Sequence, residues 1–126
     1  MQTDNLENVI RTEAELAEAL LGLLKQQQNA IVHFQDAALT SLVEQQQHIL
    51  RPLEALERER LRIMNGSSTA TERIPQSAQR LRTLAREIAD VNRQNRTLLE
   101  SAMRFIHQNL RILTEDFTRK LVDARI

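Results

Sequence analysis

Residues 81–112 read LRTLAREIADVNRQNRTLLESAMRFIHQNLRI, and within them Leu81, Leu84, Ile88, Val91, Asn95, Leu98, Ala102, Phe105, Asn109 and Ile112 recur at alternating spacings of three and four. Spacing of this kind, sustained over four heptads, predicts one long helix whose narrow stripe packs against other helices.

The same rhythm appears twice upstream. Thr3 or Asp4 can cap a first helix over residues 4–34, in which Leu6, Ile10, Glu13, Ala17, Leu20, Leu24, Gln27, Ile31 and Phe34 mark the stripe; acids crowd its early turns, where the macrodipole favours them. A turn is expected around Phe34-Gln35-Asp36, with Asp36 as the next cap. Residues 36–64 then carry Leu39, Leu42, Gln46, Ile49, Leu53, Leu56, Arg60 and Ile63. Pro52 lies inside this pattern and lacks the backbone donor, so a kink or a break is expected there. Asn65-Gly66-Ser67-Ser68-Thr69 is the clear breaker cluster. The last helix follows over residues 71–123, with Thr71 as its cap and Pro75 in the first turn.

These spans define an all-α chain of three long antiparallel helices, an up-down-up bundle forming a single domain over residues 1–126. Leu20, Leu24, Ile49, Leu53, Leu56, Leu84, Ile88 and Val91 are the expected core. At 1.5 Å per residue the last helix is about 75 Å long, against about 45 Å for the others. It passes the Phe34 turn near Ala102 and then overhangs. The overhang still carries Met103, Ile106, Leu110, Leu113, Phe117 and Leu121 on a stripe that rotates away from the main seam. Leaving such side chains in water forgoes roughly 1.5–3 kcal/mol each, so a partner is expected to cover them. The partner-binding set is Met103, Ile106, Leu110, Leu113 and Phe117, with Asn95 and Leu99 at its base.

Gln27, Gln46, Asn95 and Asn109 interrupt the apolar repeats. A buried amide at such a position fixes register at some cost in stability; for Asn95 that role stands beside direct contact with a partner.

Composition agrees with the helices. The 126 residues are 41% apolar with two glycines, two prolines and no cysteine, which leaves neither a disulfide framework nor a thiolate metal site. No apolar run is long enough to cross a membrane and no leader is evident at the N-terminus, so a cytoplasmic location is expected. Net charge is zero but uneven: residues 1–50 hold seven acids against Arg11 and Lys25, and residues 73–126 hold eleven bases against six acids. Pairing of an acidic first helix with a basic last helix accounts for this. A nucleic-acid face built on Arg73, Arg80, Arg82, Arg86, Arg93, Arg96 and Arg104 is disfavoured, because Glu87, Asp90 and Glu100 interrupt the row and no aromatic lies among them. His33, His48 and His107 are dispersed, Glu44 with His48 being the nearest metal-like pair. No nucleophile–base pair or phosphate-cradling loop appears, so neither an enzyme nor a cofactor is expected.

Leu53-Glu54-Ala55-Leu56-Glu57-Arg58-Glu59-Arg60, then Ala89-Asp90-Val91-Asn92-Arg93-Gln94-Asn95-Arg96-Thr97-Leu98-Leu99, then an apolar helix ending near Leu113, resemble the FlgN family of flagellar export chaperones over residues 1–113. The local motif is Asn92, Asn95, Leu98 and Leu99 in an Asn-x-x-Asn-x-x-Leu-Leu pattern. The resemblance implies a cytoplasmic chaperone that binds C-terminal helical segments of hook-associated proteins of the hook–filament junction, prevents their early assembly and delivers them to the export gate. Such chains usually continue into a tail bearing a tyrosine and a glycine, associated with docking at the gate. Here there is no tyrosine, so either this member lacks that docking mode or the chain is a shortened form. The competing expectation is a structural coiled-coil protein whose overhangs pair with each other in a symmetric dimer or an open assembly; the chain is expected to be a monomer or a homodimer.

Overall fold

The computed structural model describes residues 2–66 and 75–125, with side-chain surroundings for residues 5–66, 76–116 and 118–122. Three α-helices follow in order, α1 Gln2–Val32, α2 Asp36–Gly66 and α3 Pro75–Arg125. α1 and α3 run parallel with α2 antiparallel to both, the up-down-up arrangement of an all-α bundle.

The helix ends differ from expectation in detail. α1 already includes Gln2, so Thr3 and Asp4 lie within its first turn rather than capping it. The turn at residues 33–35 is closed by Phe34 N–H donating to the Ile31 carbonyl (3.2 Å) and Gln35 N–H donating to the Ala30 carbonyl (2.9 Å), the bond pair of a Schellman ending. Phe34 therefore takes a left-handed backbone, φ 54°, at a position glycine usually fills. Asp36 is the first residue of α2 rather than its cap, because the Gln35 carbonyl accepts the first helical bond, from Leu39 N–H at 3.0 Å. α2 runs through Pro52 unbroken. The expected Thr71 cap lies outside the described residues.

α1 is the middle helix. Ten of the thirteen buried apolar residues among those described are its own, from Leu6 to Ile31; α2 adds Leu42 and Ile63, and α3 adds Leu84. It packs against both neighbours, whereas α2 and α3 have next to no backbone contact with each other. This corrects the expected core. Leu20, Leu24 and Leu84 are buried, but Ile49, Leu53, Leu56, Ile88 and Val91 are only half-buried. Each of the last five belongs to a helix that packs chiefly on α1 and little on the other outer helix.

Two polar pairs set the α1–α2 register. Glu13, buried at 3% exposure, accepts from Arg60 Nε at 2.8 and 3.2 Å. Gln46 Nε2 donates to Gln27 Oε1 at 2.9 Å. Residues 13 with 60 and 27 with 46 belong to one antiparallel register, in which polar interruptions of one stripe meet those of the other. A slip by one turn would bury each of them against an apolar side chain, which is costly for an amide and more so for a charge.

Candidate functional site

Along α3 the seam with α1 ends at the hairpin tip. Arg80 pairs with Glu18, Asn95 Nδ2 donates to the Leu24 carbonyl at 2.9 Å, and Gln28 Nε2 donates to Gln94 Oε1 at 3.0 Å. The last contact is aromatic. The Phe34 and Phe105 rings lie 6.4 Å apart at 41°, above a shallow apolar cleft lined by Ile31, Val32, Leu98 and Ala102. Beyond it α3 continues to Arg125, some 20 residues and roughly 30 Å at 1.5 Å per residue.

This free half of α3 is bare. Met103 is 67% exposed, Ile106 46%, Leu110 58% and Leu113 64%, and Leu121 is exposed as well. The side chain of Phe117 lies outside the described residues, so its place on the face follows only from helical spacing. Leu99 opens the face at its base, at the margin of exposure. The free helix supports itself through Arg111–Glu115 and Lys120–Asp116 at i,i+4 and through the Thr114 and Thr118 hydroxyls, which donate to the carbonyls four residues back. Exposed i,i+4 pairs contribute only about 0.2–0.5 kcal/mol each.

Asn95 is not part of a presented surface. It is 2% exposed and tied to Leu24, so in this fold it holds the α1–α3 seam, and its expected place in the partner-binding set is corrected. Its Oδ1 has no hydrogen-bond partner. Phe105 and Ile112, read in the sequence as part of the main seam, are instead exposed at 56% and 60%. The signal that could have placed them in the site was the length of the repeat, which outruns the helix meant to cover it.

The charge pairing expected between the first and last helices is also thinner than composition suggests. Among the described residues Arg80–Glu18 is the ion pair that joins α1 to α3; Arg82, Arg86, Arg93, Arg96 and Arg104 point outward. Burial pushes the Glu13 carboxyl above the ordinary value of 4.5 against the opposing pull of Arg60, with Glu57 adding to the rise. Among the described residues no group of three metal-ligating side chains is assembled, and no helix is long and apolar enough to cross a membrane.

The architecture is that of an all-α scaffold which completes a helical hairpin with the first half of α3 and presents the second half, apolar and unpartnered. The chain belongs to the FlgN family, whose model, described as FlgN protein, matches residues 1–122. The family is one of flagellar chaperones. No match is found among curated proteins or among solved structures.

Proposed function

We propose that this chain is a cytoplasmic flagellar export chaperone whose free half of α3 holds C-terminal helical segments of hook-associated proteins. Bound there, the segments are kept from assembling early and are carried to the export gate. The observation that supports this reading is the exposed row Met103, Ile106, Leu110 and Leu113, continued by spacing to Phe117. An amphipathic helix recognises such a row through anchors at i, i+3, i+4 and i+7. Ile106 and Phe117 are the strongest anchors by size and position.

The test is co-purification of candidate hook-associated proteins with the full chain and with a chain ended after Ala102. The shortened chain keeps the α1–α2 hairpin and the α3 seam down to Asn95, so it remains a cooperative helical fold. It should lose its client. Full client affinity in the shortened chain overturns the proposed site. Conversion of a dimer to a monomer by the same truncation, with no client bound by either form, favours the structural coiled-coil reading.

A further inference from the structure

The α1-facing seam of α3 does not stop at the hairpin tip. Val91, Asn95 and Leu98 are followed two heptads later by Phe105, Asn109 and Ile112, the same order of apolar residue, asparagine and apolar residue at spacings of four and three. The first set is occupied. Val91 packs on the cluster of Ala14, Ala17 and Leu21, Asn95 donates to the Leu24 carbonyl, and Leu98 shares a cleft with Ile31. The second set is open, for Phe105, Asn109 and Ile112 are all exposed. A heptad repeat drifts by about 20° per heptad around a straight helix, so the two sets form one slowly turning track. At 3.6 residues per turn, this track lies roughly a third of a turn from the row Met103, Ile106, Leu110 and Leu113.

α1 restricts what can lie there. An antiparallel pairing that sets Phe105 against Ile112 of a second copy runs that copy's residues 113–125 beside residues 92–104, where α1 already lies. Sliding the copies apart until α1 is cleared sets Ile112 against Arg119, an apolar residue against an exposed charge. Parallel in-register pairing drives the second α3 through α1 itself. The track therefore suits a helix of another chain that ends at the tip, against Phe34 and Phe105.

We infer that Phe105, Asn109 and Ile112 form a second seam that receives the terminal turns of an amphipathic client helix, end to end with α1. This rests on the chaperone reading and adds a face and a register to it. The incoming helix offers large apolar side chains at three-four spacing and a backbone carbonyl to Asn109, as Leu24 does to Asn95. Asn109 thus sets the register of the client, while the Met103–Leu113 row supplies area from the adjoining face.

A peptide of residues 10–32, which carries the α1 seam itself, is the probe, titrated to millimolar concentration into the full isotope-labelled chain and followed by NMR. The side-chain NH2 of Asn109 and the amides of Phe105 and Ile112 should shift. Ile112→Glu should weaken binding by at least about tenfold, and Arg111→Gln, exposed on neither the seam nor the Met103–Leu113 row, should leave it unchanged. Both positions are exposed, so neither change disturbs the hairpin. Absence of shifts, or shifts confined to the Met103–Leu113 row, overturns the second seam. Helical segments of hook-associated proteins form the second arm. If they bind Ile112→Glu as tightly as the parent chain, the seam fails and the chaperone reading stands; if none binds while the peptide shifts Asn109, the seam stands and that choice of client fails.

Discussion

Glu13 and Arg60 face each other across the α1–α2 seam with Nε 2.8 Å from Oε1, and the carboxylate side chain is only 4% exposed while the guanidinium side is 22% exposed. Burial of the acid outweighs the attraction of the base, so the Glu13 carboxyl is raised above 4.5. The folded chain then keeps this proton to a higher pH than the unfolded chain does, and this group's contribution to stability falls as pH rises from 4.5 through the folded value. In Glu13→Gln that fall is absent. The difference in unfolding free energy between Glu13→Gln and the parent should increase across that window and level off above it, as read from urea melts at a series of pH values. A difference that stays flat or decreases would contradict the assignment.

Removing the base alone should be worse than removing the pair. Arg60→Leu leaves a buried carboxylate without its counter-ion and should cost about 3 kcal/mol at neutral pH. The double change Glu13→Leu with Arg60→Leu should cost less than about 1 kcal/mol, since two apolar side chains then meet. A double-mutant cycle by denaturant unfolding measures both.

Asn95 gives up stability for position. Its Oδ1 is buried without a partner, and the Leu24 carbonyl that its Nδ2 meets lies inside α1, where it has a helical donor as well. Asn95→Leu should therefore raise stability by about 1 kcal/mol while loosening the choice of register. Thermal melts check the first effect. Sedimentation, in which the variant populates associated species that the parent does not, checks the second.

Truncations on α3 should rank by burial. Leu84, buried against Ala14, Ala17 and Leu21, should lose about 2–4 kcal/mol on change to alanine. Ile88 packs on the same cluster but is only half-buried, and Ile88→Ala should cost about 1–2 kcal/mol, below the range for a closed core. Equal losses would mean that α2 and α3 close on each other in solution.

Phe34 separates backbone from side chain. Its positive φ disfavours any residue with a Cβ by about 1 kcal/mol relative to glycine, and both Phe34→Ala and Phe34→Gly lose the ring that meets Phe105. Phe34→Gly should therefore be the more stable variant by about that amount in thermal unfolding. The reverse order would place the turn in another conformation.

Periodicity made three things legible: that the chain is all-α, that its helices are of unequal length, and that the longest one must overhang. The three-four spacing and the breaker at Asn65–Gly66 are local properties, and the rise per residue turns them into lengths without any tertiary information. Of the residues that fix register, Gln27, Gln46 and Asn95 stood out as polar interruptions, while Glu13 and Arg60 passed as ordinary stripe positions. Their pairing was not legible. That Arg60 meets Glu13, that Gln46 meets Gln27, and that Asn95 turns inward to Leu24 depends on which stripes face each other, and stripes of equal spacing fit in many registers. The same limit hid the central position of α1. Three amphipathic stripes look alike in sequence, and only packing decides that one helix shares its wide apolar face with two neighbours while theirs stay half-open. It likewise decides that the seam repeat of α3 loses its cover at Phe105, because burial is set by where the partner helix ends and not by the residue that awaits it.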